Sequence, residues 1–159
     1  MNKLNNETEL LLFALKERYE SMHKIRERAQ SVGFWSLGLF LSASVWFFKN
    51  GFAFNGSQKI FIIIGLSLGF YVLKDVYLRD LLKGFKNQQI IAVKIEDKLG
   101  YYSILKEKGS IKSIYPINWK KSGTEEGNGH YFDSTFSLLY VGFIFLLLSI
   151  FLSGSFCIL

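Results

Sequence analysis

Cysteine, proline and histidine are nearly missing from these 159 residues, which hold one, one and two of them. A lone Cys157 excludes an intramolecular disulfide. His23 and His130 lie far apart in sequence, so no metal-ligand spacing exists. No Walker A pattern, G-x-S-x-G or H-E-x-x-H occurs, and neither histidine has neighbours suited to general-base work. The chain is expected to be no enzyme and to need neither cofactor nor metal. A cleavable signal peptide is not expected either, because the first 31 residues carry 11 charges, too many and too dispersed for one. Cys157 stands third from the end, so it forms no prenylation box.

Hydrophobic residues make up half of the chain and aromatics 17%. The mean hydropathy is +0.22 although 20% of residues are charged. The two populations are segregated into apolar blocks with charges between them, which excludes a disordered chain and points to lipid as solvent. The expected fold is an all-α integral membrane protein with three transmembrane helices and cytosolic helical extensions.

Residues 3–31 read as a cytosolic amphipathic helix, capped by Asn5 or Asn6, with Glu7 and Glu9 near its positive end. Leu11, Leu15, Tyr19, Met22, Arg26 and Ala29 form its stripe, in steps of four and three. Glu20 and Lys24 are placed for an i,i+4 pair. A transmembrane hairpin follows over 32–78. Its first span is 32–48, and residues 29–48 give 20 positions without charge, enough for a bilayer core of about 30 Å. Trp35 and Trp46 sit near the ends of that span, where indoles prefer the interface.

The 49–58 connection has the glycines and asparagines of a tight hairpin. Its Asn55-Gly56-Ser57 matches a glycosylation sequon, without meaning in a bacterial chain, and the Lys-, Asn- and Ile-rich composition suggests an AT-rich bacterial genome. The second span is 59–78. It needs Lys59 to snorkel outward and the helix to continue through Lys74 and Asp75, with Asp75 and Arg79 pairing at the membrane edge. A cytosolic helix plus a compact loop segment is expected over 79–133. Its recurring face is Leu78, Leu81, Leu82, Phe85, Ala92, Ile95 and Leu99, interrupted at Gln88-Gln89, with Gly100 as the cap. The third transmembrane helix is 134–159, 26 residues without a charge.

Of the 19 Lys and Arg residues, 17 fall before residue 32 or within 74–133. The positive-inside rule then puts the N-terminus in the cytoplasm and the C-terminus outside a plasma (inner) membrane. Gly65 and Gly69 form a GxxxG motif. Gly38 and Ser42, and Ser149 and Ser153, repeat its spacing, so these six are candidates for helix packing or oligomerisation. Lys112, Tyr115, Trp119, Lys120 and Lys121 are candidates for a cytosolic ligand or trigger surface, with the aromatics able to stack on a base. Lys106 and Lys108 add to its charge.

A charged helix containing Tyr19-Glu20 and Lys24-Ile25-Arg26-Glu27-Arg28-Ala29 runs straight into a Trp-bearing span. A tight hairpin, a second span and a helix ending Ile95-Glu96-Asp97-Lys98-Leu99-Gly100 follow. Over roughly residues 10–100 this layout resembles the SLATT-type membrane effectors of bacterial conflict systems. The third span lies outside the resemblance, and no functional residue is carried over. The resemblance implies an oligomeric, pore-forming or membrane-disrupting effector in bacterial anti-phage defence, triggered from the cytosol. The partners expected are the lipid bilayer, further copies of the chain, and a cytosolic sensor protein or nucleotide messenger, with no nucleic acid polymer. The alternative is a non-enzymatic membrane anchor or scaffold that recruits a soluble partner.

Overall fold

The computed structural model describes residues 2–50, 54–103, 105–107, 110–112, 114–123 and 132–153, and the side chains of most of them. Helix α1 runs Asn2–Asn50 without a break. It contains no proline and is rich in the strong helix formers Leu, Glu, Lys and Ala. At 1.5 Å per residue it is about 74 Å long, so only part of it fits within a hydrocarbon core of about 30 Å. Helix α2, Gly56–Tyr71, begins where the Gln58 side chain accepts the Asn55 backbone N–H at 3.0 Å. It leads through a π-helical segment, Val72–Leu78, into α3, Arg79–Lys98. A short hairpin of β1, Leu105–Glu107, and β2, Ser110–Lys112, comes next. Then follow α4, Ile117–Lys120, and α5, Asp133–Leu152.

Three helices are long and apolar enough to cross a membrane: Asn6–Asn50, Gly56–Lys98 and Asp133–Leu152. The fold is all-α, as expected. The antiparallel β1–β2 pair, in register Leu105↔Lys112, is a small addition that the mixed composition of 101–133 did not announce. Residues 154–159, the end of the expected third span, lie outside the described residues, as do His130 and Cys157.

The chain divides into two compact units. One comprises Glu27–Leu81 and Tyr131–Leu159. Here α5 is the hub, burying Thr135, Leu139, Gly142, Phe143, Leu146, Ser149 and Ile150. In lipid no hydrophobic drive brings helices together, so association rests on close packing, and small residues permit it. At Gly33 a Cβ would stand 3.0 Å from Thr135 Cγ2. At Gly142 it would stand 3.0 Å from Phe40 Cδ2 and 3.1 Å from Leu37 Cδ1. Helix α5 therefore runs parallel to α1. On its other side it runs antiparallel to α2. Lys59 Nζ donates to Ser153 Oγ at 3.1 Å, and Phe70 stacks on Phe143 with centroids 4.3 Å apart. Phe40 meets Phe143 edge-on at 5.9 Å, so one aromatic cluster joins all three helices.

The other unit comprises Met1–Arg26 and Leu82–His130. Its two long helices meet along their inner faces. On α3 the residues turned inward are those of the expected face, with Phe85 and Ala92 buried. The glutamine interruption has a cause, since Gln88 Oε1 accepts the Arg18 guanidinium at 2.8 Å. On α1 the stripe differs from expectation. After Leu15 it passes through Arg18, Met22 and Ile25, while Arg26 is exposed and Tyr19 is 42% exposed. The two series have the same step pattern and differ only in phase. The partner decides between them, because Arg18 finds Gln88 and Ile25 lies over Gly84. Glu20 and Lys24 make no ion pair among the described residues.

Replacing Gly142 with Leu should wedge α5 away from α1 and cost about 1–3 kcal/mol by overpacking. Gly65→Leu, at a position with nothing within 4 Å of an added Cβ, should change the stability of a single copy by no more than about 0.5 kcal/mol. Unfolding of the detergent-solubilised protein by denaturant checks both values.

Candidate functional site

The densest polar chemistry lies at the C-terminal end of α3. That helix closes in a Schellman motif. Tyr101 N–H donates to Glu96 O at 3.0 Å and Gly100 N–H to Asp97 O at 3.1 Å, with Gly100 left-handed at φ 79°. The turn brings Tyr102 back over the helix, onto the side chain of Glu96. That carboxylate is 5% exposed. One oxygen accepts a hydrogen bond from the Tyr19 hydroxyl of α1, and the other accepts one from the Tyr102 hydroxyl. A buried carboxylate is costly unless its oxygens are satisfied. Here the two donors come from different segments, so Glu96 ties α1, α3 and the chain beyond α3 together. Both phenols are held above the ordinary tyrosine range, first because burial penalises the phenolate and then because Glu96 accepts their hydrogen bonds and repels negative charge.

The expected ligand surface is built onto this clasp. Tyr115 N–H donates to Tyr101 O at 3.0 Å. Its ring meets Tyr101 edge-on at 5.3 Å and Trp119 at 5.5 Å. Lys120 Nζ lies 2.8 Å from both oxygens of Asp97, so its charge is committed within the fold. Trp119 is 57% exposed and Lys121 is exposed. The side chains of Lys112, Lys106 and Lys108 lie outside the described residues. Tyr115, Trp119 and Lys120 are thus brought together as an aromatic bracket closed by one ion pair. Such an exposed pair is worth at most about 1 kcal/mol.

In the other unit, Asp75 sits in the π-helical segment, where widened turns often mark functional sites. Arg79 Nη2 lies 2.9 Å from Asp75 Oδ1, and Lys74 Nζ lies 3.7 Å from Oδ2. Lys74 also stands over the Tyr140 ring of α5, 5.1 Å from its centroid. The six small residues separate into two groups. Ser149 and Ser153 are buried and return their hydroxyls to Leu146 O and Ile150 O. Gly38, Gly65 and Gly69 have open space where a Cβ would point. Ser42 is exposed and donates to Gly38 O at 2.8 Å.

Sequence reasoning missed Glu96 and the α1–α5 contact. Glu96 was visible as an acidic residue between Ala92 and Leu99 on an apolar face. Thr135, Gly142 and Ser149 repeat at seven positions, and Ala29, Ser36 and Ala43 do so on α1. A search confined to four-residue spacing passes over both series. No family model matches the chain, and neither a curated protein nor a solved structure matches it.

Glu96→Ala should destabilise the protein by about 2–4 kcal/mol, since it strands two hydroxyls and opens a cavity. Glu96→Gln should cost less, because its amide still reaches both. The pH dependence has a definite sign. Above about pH 10 the tyrosines of the unfolded chain ionise, while Tyr19 and Tyr102 keep their protons in the fold. The folded state then binds more protons, so stability falls as pH rises past that point. Melting temperature measured from pH 8 to 11 should drop, and Tyr19→Phe with Tyr102→Phe should flatten the drop.

Proposed function

We propose that the chain is an oligomeric membrane effector of bacterial anti-phage defence. It opens or disrupts the plasma membrane when a cytosolic sensor or messenger triggers it. The observation that carries this reading is the surface of α2. No residue of this apolar helix is buried, and Gly65 and Gly69 stand open on it beside Phe61, Ile64 and Leu68, all more than half exposed. Small residues on a lipid-facing helix allow the backbone of another copy to approach closely, and several copies are needed to enclose a pore. The architectural resemblance to SLATT-type effectors supports the same reading. So does the gathering of residues 1–26 and 82–130 into one unit, because those segments hold most of the basic residues that the positive-inside rule assigns to the cytoplasm. The N-terminus is then cytoplasmic and the C-terminus outside. The chain catalyses nothing and acts by assembly.

Cells expressing the protein, together with the product of a neighbouring gene or during infection, should lose the signal of a potential-sensitive dye. Gly65→Leu with Gly69→Leu should suppress that loss at unchanged protein level. Steady membrane potential under every trigger, with a soluble partner co-purifying in equal amount, would instead establish an anchoring subunit.

A further inference from the structure

Large apolar side chains facing lipid need no cover, but the same side chains facing water do. Outside the apolar spans, Leu10 and Phe13 of α1 are 69% and 63% exposed. With Asn6 and Glu9 they line an open depression of about 370 Å³. This is the side of α1 opposite buried Leu15, and Glu17 and Glu20 share it, both exposed. Helix α3 carries the converse pattern. On the side away from Phe85, Ala92 and Glu96 stand Lys83, Lys86 and Lys94, with Ile90 and Ile91 between them. None of these glutamates or lysines makes an ion pair among the described residues.

The two faces match in register as well as in sign. Both helices rise equally per residue. Laid antiparallel with Phe13 opposite Ile90, they bring Glu9 to Lys94, Glu17 to Lys86 and Glu20 to Lys83. Lys16 then falls opposite Asn87, and Lys24 opposite Arg79, whose guanidinium Asp75 already pairs at 2.9 Å. We infer that the outer face of α1 docks on the outer face of α3 in a second copy of this chain. Within one copy α1 and α3 already run antiparallel along their inner faces, as Arg18–Gln88 and Ile25 over Gly84 show. A copy rotated about the membrane normal therefore presents its α3 in the required direction. Because two different faces meet, the contact is heterologous, and repetition by rotation closes a ring. The inference rests on the oligomeric reading above and assigns its water-side interface.

Full-length protein in bacterial membranes, with Cys157→Ser as background, gives the test. Glu20→Cys and Lys83→Cys in one chain should yield, on copper-catalysed oxidation, a ladder of dimers, trimers and higher species. Each variant alone should yield none, and the two singles co-expressed should yield dimers only. The outer faces of one copy point apart, so the ladder has no intramolecular competitor. As a second measurement, Lys83→Glu with Lys86→Glu should weaken the detergent-extracted oligomer about tenfold, and adding Glu17→Lys with Glu20→Lys should restore it. An oligomer that persists with no ladder and no charge rescue overturns this interface and leaves the effector reading standing. A chain that is monomeric in mass and never cross-links removes both.

Discussion

In a bilayer, leucine gains nothing by leaving lipid for leucine, so the membrane-crossing part of this chain is organised by how near two backbones can come. The approach of α5 to α1 at Gly33 and Gly142 sets everything else in that unit. It seats Phe143 between Phe40 and Phe70 and brings Ser153 to the Lys59 ammonium. A bulkier residue at either glycine removes the contact surface and not merely a van der Waals increment. The hydroxyls on this surface, Ser44, Ser149 and Ser153, are returned to carbonyls of their own helices, so their burial leaves nothing unsatisfied.

The other unit holds most of the chain's Lys and Arg residues, and different rules apply there. There an apolar seam of Leu15, Phe85 and Ala92 supplies cohesion, and a single carboxylate supplies specificity. Glu96 can be buried only while Tyr19 and Tyr102 both donate to it. One charge thereby fixes the rotation of α1 against α3 and the return path of the chain after Gly100. Two adjacent solutions in helix phase are open to α1 by spacing, and the polar partners on α3 select one.

Much of the architecture was legible in the residues. Three charge-free blocks give three helices fit to span a membrane. The face running from Leu78 through Phe85 to Leu99 is the one α3 turns inward, and Gly100 caps that helix. What escaped has a common physical character. The Asp97–Lys120 pair and the Glu96 clasp join residues remote in sequence, and no local periodicity encodes them. The α1 stripe slipped by one position at Tyr19 and Arg26 because a 3-4 alternation can be entered at either of two phases. The GxxxG residues stood out because their spacing is familiar, yet the close approach within one copy uses Gly33 and Gly142. Lys120, read as part of a ligand or trigger surface, is paired with a carboxylate that spacing could not locate.

The widened turn at Val72–Leu78 has a consequence for how the chain can change over generations. Arg79 N–H reaches back five residues to Lys74 O, so this stretch holds one residue more than a regular α-helix would need. Winding the stretch as a regular α-helix at constant length would turn every later position by about 100° around the axis, whereas deleting one residue would remove the widened turn and leave the later positions facing as they do. The identities at exposed Val72, Val76 and Tyr77 are free to drift, and the stretch can lose its one extra residue without turning α3. Among descendants of this gene, the segment should accept exchanges of letters and the loss of one residue, and reject the loss of two.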